Sequence, residues 1–533
     1  MRSLRPPAAK SRRSCCLPGV TVRYLFPCFL LSNAILYSLL LPLWEGFDEP
    51  FHFGNVSGRR EVLSEEIAAS LLLAPASHIV QRNLPQVRTY QQYAALPLAE
   101  RAAIQQELRT IPAELRSIES AIPNYEQHQA PLAYWVLAIA ERMAGSEALW
   151  LRVLLLRLLA AIGGAWLLNR AITALAAELG LRQSGCDTLR FLVFATQMTW
   201  ATLAHPANDW LAVPLAVWAL VELLRYASVG TQRAALLAAV VCSLGLLTKA
   251  YFLAVVPLLV AVFAYRRKLR PLVLAVSVIG LLSGWWYVRN VWLYGSLTGM
   301  PESRALSAWT PLVEAGDVPW PATVLTSARM ALWTGNNTFN VFSADTIGSL
   351  LALYAVMLGL HLGSRPRRSE WITIGYLSLF AAALAYVTVL SHAYTGGTAW
   401  LPSPWYTQVV VTPVLALAVL GAQKRPAAGR WLLWPVIALN AYILIATYVA
   451  KLIPQYGGYP GSMTAGRFVD LYTTQLGTLG ENLAFTALGP VVLIAALTVA
   501  TALLTLAIAY GLVDAARREC EPTRRTPDPL QPR

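Results

Sequence analysis

With 56% hydrophobic and only 13% charged side chains over 533 residues, the chain falls well below the ~25% charged fraction usual for soluble domains. The net charge of +14 is not a nucleic-acid signature. Much of it lies in short clusters between apolar runs, where it marks the cytoplasmic side of a membrane. The expected fold class is all-α: a polytopic membrane protein of about 12 transmembrane helices, two of them short arms of a hairpin that need local bilayer thinning.

In chain order, residues 1–23 read as a basic cytoplasmic segment and residues 24–43 as an uncleaved signal anchor, with no small-residue cleavage site before Trp44. Residues 44–148 form a large polar outer segment in which Pro97 to Ser120 reads as a charged surface helix. Clear spans follow at 149–172, 188–204, 209–226, 271–291, 345–363, 371–390, 405–422, 431–453 and 487–512. Residues 24–512 thus make one membrane domain, and 513–533 a cytoplasmic tail. Cys15, Cys16, Cys28, Cys186, Cys242 and Cys520 show no zinc-type spacing and avoid the outer segments, so no structural disulfide is expected. Asn336-Asn337-Thr338 is a formal glycosylation sequon.

Residues 131–143 and 234–264 decide the topology, because the crossings between an outer residue 44 and an inner Tyr265 must be odd in number. Either 131–143 is interfacial and 234–264 a hairpin, or 131–143 crosses and 234–264 is one helix. The first scheme is preferred, since apolar runs of about 10 to 14 residues are more often interfacial than spanning. A single helix over the second segment would be about 46 Å long against a core of about 30 Å. It would also hold Lys249 near the bilayer centre, at roughly 2.5 to 3.5 kcal/mol. A turn at Thr248-Lys249 carries the charge to the outer surface.

Under that topology Asp48, Glu49, His52, His128, His205, Asn208, Asp209, Lys249, Arg289 and His392 all approach the outer side. Pro50 suits the start of a helix with Glu49 as its cap, which sets Asp48 and His52 about one turn apart, where they can share a face. The plain alternative is an acidic cap on an interfacial helix. His205-Pro206-Ala207-Asn208-Asp209 is either a second acidic site or an ordinary polar turn. Lys249 and Arg289 run against the positive-inside bias. Arg289, at the end of Gly284-Trp285-Trp286-Tyr287-Val288-Arg289-Asn290, either snorkels or, with Lys249, meets an anion such as a lipid-linked phosphate. Of six histidines, His52, His78, His128, His205 and His392 fall in outer segments. His52 with Asp48, Glu49, His205 and Asp209 could hold a divalent cation if their loops meet, although no compact metal spacing is present. Otherwise His52 orients Asp48 or binds acceptor.

These pieces resemble the GT-C class of multi-pass glycosyltransferases, especially the protein-mannosyltransferase-like family (family 39-like) and related bacterial membrane proteins with an Asp-Glu-Pro-x-His motif. Phe47-Asp48-Glu49-Pro50-Phe51-His52, Tyr125-Glu126-Gln127-His128-Gln129-Ala130-Pro131, Asn208-Asp209-Trp210, Leu246-Leu247-Thr248-Lys249 and the segment ending in Arg289-Asn290 occur in the corresponding order. The resemblance implies a sugar donor on a polyprenyl phosphate, used at the outer side of a bacterial inner (plasma) membrane, and a lipid, glycan or protein acceptor. It makes Asp48 the base for the acceptor hydroxyl and Asp209 the second acid, with Lys249 and Arg289 at the donor phosphate. One departure stands in Pro402-Ser403-Pro404-Trp405-Tyr406: Tyr406 fits a late Arg-Tyr motif whose arginine is missing. A non-catalytic member of the class is the alternative this leaves. A transporter or lipid-glycan flippase is the other, although carriers place charges near the bilayer midplane and often show repeated halves.

Overall fold

The computed structural model describes residues 18–77, 87–145, 147–332 and 342–518. His78, the sequon at 336–338, Cys15, Cys16, Cys520 and most of the two basic termini lie outside the described residues. Cys28, Cys186 and Cys242 are free thiols.

Helix α1 (Pro18–Leu40) leads through an irregular turn to α2 (Glu49–Val56). The segment expected on the outer side continues as strand β1 (Val62–Ser64), α3 (Glu65–Leu73), α4 (Tyr90–Ala94), α5 (Leu98–Arg109) and strand β2 (Glu119–Pro123). The surface helix expected up to Ser120 stops at Arg109. Pro112 disfavours helical backbone at the residue before it and supplies no donor. The chain then passes through a 3-10 turn, Ala113–Arg116, into β2, which pairs antiparallel with β1. That ribbon is a small exception to an otherwise helical chain. Helix α6 (Leu132–Met143) buries Tyr134, Leu137 and Glu141 and exposes Trp135, Ile139 and Met143, a one-sided pattern suited to an interface.

The long α7 (Leu149–Leu179) is followed by α8 (Gln183–Ala195) and α9 (Gln197–Leu203). Sequence hydropathy reads 188–204 as one span, but extended backbone at Thr196 breaks it. The carbonyls freed at the break are satisfied locally: Thr199 Oγ1 donates to Val193 O at 3.0 Å and Trp200 Nε1 to Phe194 O at 2.8 Å. Next come α10 (Asp209–Val229), α11 (Gln232–Leu246) and α12 (Val255–Tyr265). Helix α13 (Leu269–Ile279) runs through a π-turn into α14 (Trp285–Tyr294). The short α15 (Pro301–Ala305) and α16 (Thr310–Val313) precede α17 (Trp320–Leu332), α18 (Ala344–Leu362), α19 (Arg368–Tyr394) and α20 (Gln408–Lys424). Helix α21 (Pro426–Ala446) continues into α22 (Ile453–Tyr456), and α23 (Ala465–Thr473), α24 (Leu476–Ala484) and α25 (Val491–Arg518) complete the chain.

Eight of the described helical stretches are long and apolar enough to cross a membrane, and Tyr24–Leu40, Gln232–Leu246 and Ala250–Tyr265 are shorter apolar helices. The chain is an all-α polytopic membrane protein. Against the expected dozen or so spans, the described residues hold these eight, three shorter apolar helices of which two are the arms of the expected hairpin, and the broken pair α8–α9.

Contacts between distant segments define two opposite ends of the bundle. At the basic end, Arg266 donates to the carbonyls of Ala227 and Ser228, Lys268 to Gly230 O and Arg367 to Leu179 O. The start of α11 and the end of α12 therefore lie together. At the other end Lys249 pairs with Asp209, the first residue of α10, and Leu132 N donates to Leu247 O at 2.9 Å. The segment 234–264 thus reverses direction near residues 247–249, as a hairpin requires, and Lys249 sits at its tip.

Candidate active site

The site is built at the end opposite the basic clusters, around the turn that leaves α1. Asp48 adopts a left-handed backbone conformation (φ 52°) and begins α2, with Glu49 and Pro50 as the first two helical residues. The cap is therefore Asp48, one residue earlier than Glu49. Its carbonyl accepts from the amides of Phe51 and His52, both at 3.1 Å, while its carboxylate makes no capping bond. Left-handed backbone is uncommon outside glycine, and aspartate is among the residues that tolerate it best. Gly46 is required by close approach, because a Cβ there would lie 2.9 Å from His205 Cβ.

The two adjacent carboxylates have different surroundings. Glu49 and Arg157 of α7 are both wholly buried. Arg157 Nε donates to Glu49 Oε1 at 2.6 Å and Nη2 to Oε2, while its remaining donors take Leu41 O at 2.6 Å and Pro42 O at 2.8 Å. Glu49 thus clamps the end of α1 to α7 and is fully engaged. Asp48 keeps 8% exposure and lies close enough to Asp209 and Tyr406 for the charges to interact.

The other parts gather around Asp48. His52 Nδ1 is 2.8 Å from the Tyr134 hydroxyl. The Phe47 ring meets His205 at 5.8 Å and Trp405 at 4.6 Å, which draws the 205–209 turn and the 404–407 segment to the same place. Asn208 Nδ2 donates to Gln129 Oε1 at 2.8 Å and to Thr248 O at 3.2 Å. Lys249 Nζ lies 2.6 Å from both Asp209 oxygens and 4.5 Å from the centre of the Tyr406 ring. The amine read from sequence as a donor-phosphate ligand is neutralised by Asp209.

Three arginines flank this centre. Arg289 stacks 4.6 Å over Trp286, and its side-chain bond is to Asn290 Oδ1 at 3.2 Å. Arg60 lies 5.2 Å from the centre of the same Trp286 ring and donates to the carbonyls of Gln127 and Gln129. Arg304 sits 5.2 Å over Tyr294. Among the described residues none of the three forms an ion pair with a carboxylate. Burial first, then the charges of Arg304, Arg60 and Lys249, push His128 down to about 4. His128 is thus neutral near pH 7, with its Nδ1–H donated to Tyr125 O at 3.0 Å. Burial first, then the neighbouring His52, Arg157 and Lys249, hold His205 well below the ordinary histidine value. His392, in the last turn of α19, bonds Ala399 O of the following loop at 3.3 Å.

The five residues considered for a divalent cation do not form a ligand set, since Arg157 takes Glu49 and Lys249 takes Asp209. Among the described residues no group of three or more His, Cys, Asp or Glu side chains is arranged to hold a metal. Sequence reading missed Arg157 and Arg60, the first hidden inside an apolar span and the second an ordinary-looking outer arginine. It also missed the network in which Arg152 bridges Glu66 and Glu141, with Arg116 on Glu66 at 3.0 Å, tying α3 and the turn after α5 to α6 and α7.

No protein-family model matches the sequence, and no curated protein matches it. Among solved structures, ArnT from Cupriavidus metallidurans bound to undecaprenyl phosphate aligns at 15% identity and a TM-score of 0.40, over 80% of this chain and 72% of that one. The oligosaccharyltransferase of Archaeoglobus fulgidus in the apo form aligns at 14% and 0.39, over 87% of this chain and 56% of that one. The arabinosyltransferase EmbB from Mycobacterium smegmatis aligns at 14% and 0.35, over 96% and 43%. The chain thus spans about half the length of the last two.

Proposed function

We propose that this protein is an inverting membrane glycosyltransferase that moves a sugar from a polyprenyl phosphate to a lipid, glycan or protein acceptor at the outer side of the membrane. The observation that carries the reading is the gathering, at the end opposite the basic clusters, of Asp48 with Asp209, Lys249 and Tyr406, flanked by Arg60, whose Gln129 partner reaches Asn208, and by Arg289, which shares the Trp286 ring with Arg60. The motif resemblance supports the same reading.

In the proposed reaction Asp48 takes the proton of the acceptor hydroxyl as that oxygen attacks the anomeric carbon. The bond from that carbon to the phosphate oxygen breaks, and the electron pair leaves with the polyprenyl phosphate. Arg289, with Arg60 and Arg304 behind it, stabilises the departing charge in a setting where water is scarce. His52, held by Tyr134, orients the acceptor side. The Asp209–Lys249 pair fixes the tip of the α11–α12 hairpin beneath Tyr406 and so positions the donor side.

The test is transfer of label from polyprenyl-phosphate sugars to extracted envelope acceptors by purified protein in nanodiscs. Label should appear in an acceptor only when both substrates are present. Absence of transfer across a full panel of sugars and acceptors rejects the reading. Sidedness is checked by single-cysteine labelling at the exposed positions 106 and 229, which should react from the outer and the cytoplasmic side respectively.

A further inference from the structure

A cavity of about 440 Å³ lies between the 295–303 loop and α19, lined by Ser296, Thr298, Glu302, Ser303, Tyr386 and Ser391 among others. Its size falls within the ~300–1,000 Å³ typical of small-ligand pockets. Five hydroxyls and one carboxylate thus share a recess whose other walls, such as Leu253, Val291 and Leu390, are apolar. A neighbouring apolar cavity of about 250 Å³ shares Leu253, Thr298, Met300, Tyr386 and Val387 with it and extends to Tyr251 and Tyr406. The two adjoin across these shared walls as a hydroxyl-lined arm and an apolar arm, and the apolar arm reaches the Tyr251 and Tyr406 rings that flank Lys249.

Glu302 is the informative group. Oε1 accepts from Ser391 Oγ at 3.4 Å, whereas Oε2 is shielded from solvent and has no hydrogen-bond partner. A shielded carboxylate oxygen without a donor is costly, and a carboxylate has acceptor sites for several donors. The loop around it is firmly placed. Ser303 Oγ lies 2.7 Å from Thr298 Oγ1 and 3.0 Å from Ser296 Oγ. Gly299 has φ 69°, and a Cβ there would lie 2.9 Å from His128 Cβ, so only glycine brings the loop against the site. The charge of Glu302 falls on the Tyr406 hydroxyl together with that of Asp48.

We propose that the hydroxyl-lined arm is the subsite for the glycosyl group, and that Glu302 selects the sugar by accepting hydrogen bonds from its ring hydroxyls. Amphipathic walls suit a sugar ring, whose C–H faces are apolar and whose edges donate hydrogen bonds. The assignment rests on the transferase reading above and deepens it.

The test compares kcat/KM for a polyprenyl-phosphate sugar and for its analogues with each ring hydroxyl replaced in turn by hydrogen, using the full chain in nanodiscs. For wild type at least one deoxy analogue should be used on the order of 10- to 100-fold less efficiently, because it leaves a buried acceptor unpaired. In Glu302→Leu that penalty should collapse to within about threefold, since the partner is already gone. Ser391→Ala, which frees Glu302 from its protein donor, provides a milder second variant and should change the penalty for the same analogue. Undiminished discrimination in Glu302→Leu overturns the subsite assignment alone; if that variant does not fold, unaltered discrimination in Ser391→Ala does so. Absence of transfer by wild type with every donor overturns the transferase reading and this assignment with it.

Discussion

Glu49 and Glu302 are both shielded carboxylates near the same centre, yet one has its bonds complete and the other does not. Glu49 receives two donors from Arg157, and Arg157 spends its other donors on the carbonyls that end α1. Glu302 has a single weak donor in Ser391 and a second oxygen without one. The α1–α7 side of the site is therefore a closed frame, and the 295–304 side is an open one. Groups whose hydrogen bonds are met inside the protein hold geometry, while those left incomplete are available to a ligand. The same contrast separates Lys249, held by both oxygens of Asp209, from Arg289, whose side-chain bond is a single one to Asn290.

The largest effect should come from breaking the frame. Arg157→Met leaves Glu49 buried without its partner, and removal of one member of a buried pair typically costs about 3–5 kcal/mol. Thermal unfolding in detergent should show a large loss of stability or failure to accumulate. Wild-type stability would mean that this pair is not what secures α1 to α7. On the open side, Arg289→Ala should weaken binding of a polyprenyl-phosphate sugar roughly 10- to 100-fold, as loss of a charge-assisted hydrogen bond does. Arg289→Lys should recover only part of that affinity, because an ammonium cannot reproduce a guanidinium's paired donors. Equal affinity in all three proteins would show that Arg289 only snorkels.

A smaller effect concerns pH. Folding holds His128 at about 4 and His205 well below the ordinary value of 6.5. As the pH falls from 6.5 toward 4, the unfolded chain takes up protons that the folded protein refuses. The stability owed to neutral, buried histidine is therefore full above pH 6.5 and diminishes as the pH drops through that window. Replacing His128 by Gln should flatten the dependence of melting temperature on pH between 6.5 and 4. An unchanged slope would place the titrating groups elsewhere.

Hydropathy and charge clusters were enough to find most of the membrane helices, and parity with helix length was enough to choose the hairpin whose tip carries Lys249. Topology put Asp48, the 205–209 turn and Lys249 at the same end of their spans, whereas Tyr406 entered only through the resemblance. Partners were harder to read. Arg157 stands 108 residues from Glu49 within an apolar run, and no local periodicity announces that pair. Thr196 breaks a span without proline or glycine because Thr199 and Trp200 bond the carbonyls it frees. Glu302 sits in a polar loop that resembles any other until α19 closes over it.

The most direct measurement sets the two neighbouring carboxylates of the entry turn against each other. Asp48→Asn and Glu49→Gln would be assayed side by side for sugar transfer per folded molecule and for melting temperature. A general base is worth at least ~10²-fold in turnover, so Asp48→Asn should lose that much transfer while melting like wild type. Glu49→Gln should melt lower, and its remaining folded protein should still transfer sugar. Undiminished turnover in Asp48→Asn would contradict the account, as would loss of activity in Glu49→Gln without loss of stability.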